Sequence, residues 1–100
     1  MSPVKRWNLV RDGIRLGSLT HTRSDQPFHY YYFEPTAAFA EVAPLFAKEL
    51  DSLNADDADQ WLQDYGRIEK LKLALIAPDG SIRIDKLFLH VSGNEAWFRA

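Results

Sequence analysis

Residues 27–36 read "PFHYYYFEPT", six ring side chains in a row from Phe28 to Phe33, closed by Glu34-Pro35-Thr36. A strand alternates its side chains between two faces, so Phe28, Tyr30, Tyr32 and Glu34 point one way and His29, Tyr31 and Phe33 the other. Rings on both parities mean that neither face is fully wet. Pro35 ends the strand because it cannot donate to a ladder, and Thr36 is a candidate N-cap for the segment beginning at Ala37. The stretch is therefore where the chain turns from strands to helices.

Upstream, "KRWNLVRDGIRLG" (5–17) reads as a hairpin, with Asp12-Gly13 supplying the positive φ of a tight turn. Ile14 and Leu16 share one parity and Leu19 has the other, which places a bulge or bend at Gly17-Ser18. "TRSDQP" (22–27) reads as a polar loop. Downstream, Phe39, Val42, Leu45, Phe46, Leu50 and Leu53 form a stripe at helical spacing, interrupted by Pro44, where the helix must kink or restart. "NADDAD" (54–59) places carboxylates at the start of a second helix carrying Trp61, Leu62, Tyr65 and Ile68. From Lys70 the period becomes two, with Leu71, Leu73 and Leu75 facing in. Pro78-Asp79-Gly80 is a turn, Ile82 and Ile84 resume a strand, and Leu87, Leu89 and Val91 point inward before a last hairpin at Ser92-Gly93-Asn94. The order βββ-αα-βββ predicts an α+β fold, a single antiparallel sheet of about six strands with two helical segments packed on one face.

One hundred residues, 46% of them hydrophobic, suit a single domain spanning 1–100. The absence of cysteine excludes disulfides and thiolate chemistry. No apolar stretch reaches the roughly 20 residues of a membrane span, and a cytoplasmic location is expected. Charge is uneven: Lys5, Arg6, Arg11, Arg15 and Arg23 face only Asp12 in the first 23 residues, whereas Glu34 to Asp64 is strongly acidic around a single Lys48. A net charge of -2 argues against a dedicated nucleic-acid binder.

Trp7-x-Leu9, Asp12-Gly13, Gly17-x-Leu19, Asp25-x-Pro27-Phe28, Phe33-Glu34-Pro35-Thr36, Pro44-Leu45-Phe46, Leu89-His90, Gly93 and Ala96-x-Phe98-Arg99 together give the chain its likeness. On these residues it resembles a small uncharacterised family of bacterial proteins of about this length. The resemblance implies one domain and carries no activity with it.

His21, His29 and His90 fall on different strands with no local ligand spacing, so no metal site is read, and no glycine loop cradles a phosphate or other cofactor. Asp25 and His29 are close enough in sequence for an acid/base pair, although Asp25 capping its own turn accounts for the same residues. Serines lack a nucleophile-elbow context. The expectation is a non-catalytic interaction module that binds a protein partner or its own copy through the aromatic strand, with Asp25, His29, Tyr30, Tyr31, Tyr32 and His90 as binding candidates. His29 and Tyr31 are expected at the centre of a homodimer or partner contact that includes the odd-numbered face, with arginines of the N-terminal hairpin at its rim. The alternatives are a small-molecule or nucleotide pocket between sheet and helices lined by Tyr30, Tyr32 and Trp61, or an enzyme using Asp25 and His29.

Overall fold

The computed structural model describes residues 5–25, 27–85 and 88–99. Its strands are β1 (Arg6–Arg11), β2 (Ile14–Asp25), β3 (Phe28–Pro35), β4 (Ala74–Ile76), β5 (Arg83–Ile84), β6 (Phe88–Ser92) and β7 (Glu95–Arg99), and its helices α1 (Ala43–Asn54) and α2 (Ala58–Glu69). The fold is α+β, with one antiparallel sheet in the order β5-β4-β1-β2-β3-β7-β6. Seven strands replace the six expected, because the segment after Pro78-Asp79-Gly80 contributes a short edge strand of its own. The expected inward Leu87 lies outside the described residues.

Local chemistry explains most of the boundaries. Asp12 and Gly13 both take positive φ, 50° and 78°, as the two-residue β1–β2 turn requires. Pro35 ends β3, after which Thr36 anchors the exit by donating its amide to Leu16 O at 2.8 Å and its hydroxyl to Arg15 O at 2.8 Å. A short 3-10 helix, Ala37–Glu41, follows, and Pro44 sits in the first turn of α1. There its missing amide hydrogen costs nothing, so the proline restarts the helix as its position predicted. Asp57 caps α2, accepting from Gln60 N at 3.2 Å. The polar loop expected at residues 22–27 is instead mostly strand, since β2 runs to Asp25 and β3 begins at Phe28.

Two irregularities set which side chains go where. Leu9 pairs with Gly17 and Val10 with Arg15, leaving Leu16 as the extra residue of a bulge, beside the predicted Gly17-Ser18. A second register shift, between His21 and Arg23, leaves Thr22 unpaired and lets His21 and Ser24 share a face.

One face of the sheet is the core: Trp7, Leu9, Leu19, Tyr31, Phe33, Leu75, Leu89 and Phe98 are all buried in one cluster. Trp7 and Phe98 lie on strands separated by β2 and β3, which in a flat sheet would be about 14 Å apart at the usual strand spacing. Their ring centroids are 6.5 Å apart. The sheet is thus curled around this face. Phe39 packs edge-on against Phe33 and in turn against Phe46, tying the helical layer to the inner face. At the β6 edge, Leu89 N donates to the Tyr65 hydroxyl of α2 at 2.9 Å, so the helices also cover that edge.

The Tyr65 hydroxyl is pushed up to about 12, by burial first and by Glu49 and Glu69, against the pull of the Leu89 amide. A folded-state value above the unfolded one, about 10, means that the neutral phenol contributes stability in full below pH 10 and loses it as pH rises through 12. Urea midpoints between pH 9 and pH 12 are expected to fall more steeply for the wild type than for Tyr65→Phe. Parallel curves would show that this phenol does not couple to folding.

Candidate functional site

Tyr31 and Phe33 of β3 are core residues, and His29 on the same face is half-buried. Tyr31 is 1% exposed, stacked on Phe98 at 5.2 Å with His21 edge-on at 5.4 Å. Burial pushes its hydroxyl up from the ordinary phenol value, opposed by the neighbouring Trp7 indole. The expected homodimer or partner contact centred on His29 and Tyr31 is therefore corrected: that face turns inward, because their β7 partners Phe98 and Ala96 are buried.

The even members point outward and sit in two cross-strand rows. In one row Arg6, Thr20, Tyr32 and Glu95 are successive partners across β1, β2, β3 and β7. Tyr32 at its centre is 48% exposed. In the next, Arg23, Tyr30, Trp97 and His90 are successive partners across β2, β3, β7 and β6. That second row is a continuous stack. The Arg23 guanidinium carbon lies 4.0 Å over the Tyr30 ring, Tyr30 stacks on Trp97 at 6.2 Å, and Trp97 stacks on His90 at 5.5 Å. Each ring is held by its neighbours, which fixes rotamers before anything binds.

The stack ends in the interior. His90, 7% exposed, meets Glu49 of α1 through Nδ1 and Oε1, and Glu49 is 0% exposed with no hydrogen-bond partner for Oε2 among the described residues. His90 is thus a structural link between sheet and helix rather than an accessible binding residue. Glu49 was missed in the sequence, where it reads as a solvated acid. The available signal was its spacing, three residues after Phe46 and seven after Val42, which puts it on the buried side of α1.

Asp25 and His29 do not form the proposed pair. The hydrogen-bond partner of His29 Nδ1 is Ser24 Oγ at 2.9 Å, and the same oxygen lies 2.9 Å from His21 Nε2. Asp25 is exposed and pairs along the strand with Phe28. Ser24 holds a single hydroxyl proton, so at most one ring accepts from it and at least one ring donates to it. No group of three or more His, Cys, Asp or Glu among the described residues could hold a metal ion.

Tyr30 and Tyr32 lie on the outer face while Trp61 stacks on Tyr65 of its own helix at 5.3 Å, so the three do not line one pocket between sheet and helices. An open groove of about 400 Å³ lies instead where Lys5 and Arg6 meet the 77–82 turn. Its one acid, Asp79, is engaged: the Ser81 hydroxyl and amide both donate to it and hold it below the usual carboxylate range. No helix among the described residues is long and apolar enough to cross a membrane.

Comparison with protein-family models, with curated proteins and with solved structures returned no match in any of the three.

Proposed function

We propose that the protein is a non-catalytic interaction module whose working surface is the outer face of β2, β3 and β7, centred on Tyr32. The observation that carries this reading is the pre-set aromatic stack of Tyr30 and Trp97, clamped by Arg23, beside the half-exposed Tyr32. Ordering rotamer-rich side chains opposes binding, and rings already locked by neighbours avoid most of that cost. Tyr, Trp and Arg are also the residues that dominate protein interfaces.

The sheet edges favour the same reading. Strand addition needs free backbone on an edge, but β5 is two residues long and the Leu89 amide of β6 is taken by Tyr65. Partners are left with side-chain recognition on the face.

The test is a photo-crosslinking amino acid placed at Tyr32, with the exposed α2 position Leu62 as the control. Products are expected from position 32 and not from 62. A purified partner so identified should then lose at least 10-fold in affinity for Tyr32→Glu. Equal crosslinking from both positions, or unchanged affinity, would place recognition elsewhere.

A further inference from the structure

The outer face leaves one group of chemistry-bearing side chains unused. His21 and Ser24 of β2 and His29 of β3 meet at the open end of the inner face, where the two histidine ring centroids are 6.2 Å apart. Alternation alone would send His21 and Ser24, three residues apart, to opposite faces. The bulge at Thr22 turns them to the same one, and the Thr22 hydroxyl pins it by donating to Tyr30 O at 3.1 Å. Bulges re-aim side chains in this way beside functional sites.

His21 Nε2 and His29 Nδ1 aim at one point, which Ser24 Oγ holds at 2.9 Å from each. Both rings are backed by the core: His21 sits edge-on to Tyr31 at 5.4 Å, and His29 lies 6.3 Å from Phe98. Their far nitrogens, His21 Nδ1 and His29 Nε2, make no hydrogen bond among the described residues. Each far nitrogen is therefore free to carry the ring proton, which lets both near nitrogens offer a lone pair to the same point at once. A hydroxyl has one proton and cannot use two lone pairs. A divalent cation can.

We infer that His21 and His29 form a binding site for a divalent transition-metal cation, with the Ser24 hydroxyl marking where the ion sits. The inference stands apart from the outer-face reading, since neither histidine lies on that face. Imidazole nitrogen suits Zn²⁺, Ni²⁺ and Cu²⁺, whereas the hard ions Mg²⁺ and Ca²⁺ take oxygen. Zinc–imidazole bonds are about 2.1 Å, so each nitrogen closes from 2.9 Å by about 0.8 Å as Ser24 swings aside, a shift that small rotations of two half-buried rings supply. Asp25, the next residue along β2, alternates to the opposite face with Arg23, and the chain has no thiolate. Two imidazoles are therefore the whole nitrogen, carboxylate and thiolate contribution among the described residues. That is fewer than the three or four protein ligands of a resident zinc. The ion is exchangeable, keeps water at its open positions, and ties β2 to β3 where their ladder ends at Asp25 and Phe28.

The test is calorimetric titration of the full chain, freed of metal with a chelator, using Zn²⁺ and Ni²⁺, with Mg²⁺ as the hard-ion control. At about 100 µM chain, one equivalent of Zn²⁺ or Ni²⁺ is expected to bind, and no Mg²⁺. His21→Gln and His29→Gln should each weaken Zn²⁺ binding by about 10-fold or more, since each removes one of two ligands. Should either variant fail to fold, the imidazole resonances of the wild type decide: Zn²⁺ should shift those of His21 and His29 and leave those of His90, buried against Glu49, in place. No saturable Zn²⁺ binding, binding that both substitutions leave within a few-fold, or shifts that spare His21 and His29 would each overturn the site.

Discussion

His90→Ala is expected to destabilise the fold by about 3–5 kcal/mol, far more than the loss of a partly polar ring at a surface strand would suggest. The reason is what the substitution leaves behind. Glu49 is fully buried, and among the described residues the imidazole provides the only hydrogen bond to its carboxyl group, at Oε1, with Oε2 left without a partner. Removing it strands a buried acid outright, and the cost is that of desolvating an unpaired group rather than of one hydrogen bond. Glu49→Ala should cost less, since a neutral imidazole can be buried more cheaply than a carboxylate. The combined Glu49→Leu/His90→Leu should recover most of the loss, because apolar pairs of similar volume replace buried polar pairs at little cost. Urea unfolding of the four chains tests the set. A loss below about 1 kcal/mol for His90→Ala would mean that water or a local shift satisfies Glu49, and α1 would not be tied to β6 as described.

The same pair marks the limit of what a reader of the sequence could see. Turns were legible because their chemistry is local: Asp12-Gly13, Pro44 and Ser92-Gly93-Asn94 each act within four residues, and each lies where its backbone demands placed it. Glu49 and His90 are 41 positions apart, and only the curl of the sheet and the docking of α1 bring them together. An acid in a helical stripe carries no mark of a partner that distant. Leu53, read as part of the apolar stripe, is exposed for the complementary reason: the buried side of α1 runs through Phe46, Glu49 and Ser52.

The aromatic strand failed in a different way. Alternation located β3 correctly but could not say which parity faces the core, because both carry rings. The decision is made by β2 and β7, and β7 enters some 65 residues later. The bulge at Thr22 compounds the difficulty. His29 meets a serine because the strand register pairs it with Ser24 and pairs Asp25 with Phe28, and the bulge adds His21 to the same face. Of the three tyrosines, Tyr31 belongs to the core, whereas Tyr32 is half-exposed on the opposite face, where Tyr30 stacks on Trp97.

Gly17 and Phe33 offer the second large effect. Phe33 is fully buried, and both its backbone groups bond Asn94, its N–H donating to Asn94 O and its C=O accepting from Asn94 Nδ2. Its ring lies directly on the strand opposite: a Cβ added to Gly17 would sit 2.4 Å from Phe33 Cε1, 2.7 Å from Cζ and 2.8 Å from Glu34 O. Glycine is required there for space rather than for backbone freedom. Phe33→Ala should cost about 3–5 kcal/mol, combining lost burial with the cavity left between the sheet and Phe39. Gly17→Ala should cost about 1–3 kcal/mol through overpacking, since the ring cannot retreat from a close-packed core. The two losses should not add. With the ring gone, two of the three close contacts disappear and the new methyl group occupies part of the cavity, leaving only the Glu34 carbonyl to shift. The double variant is therefore expected to be at least 1 kcal/mol more stable than the sum of the single losses predicts. Additivity within about 0.5 kcal/mol would mean that the Glu34 carbonyl, not the ring, excludes a side chain at position 17.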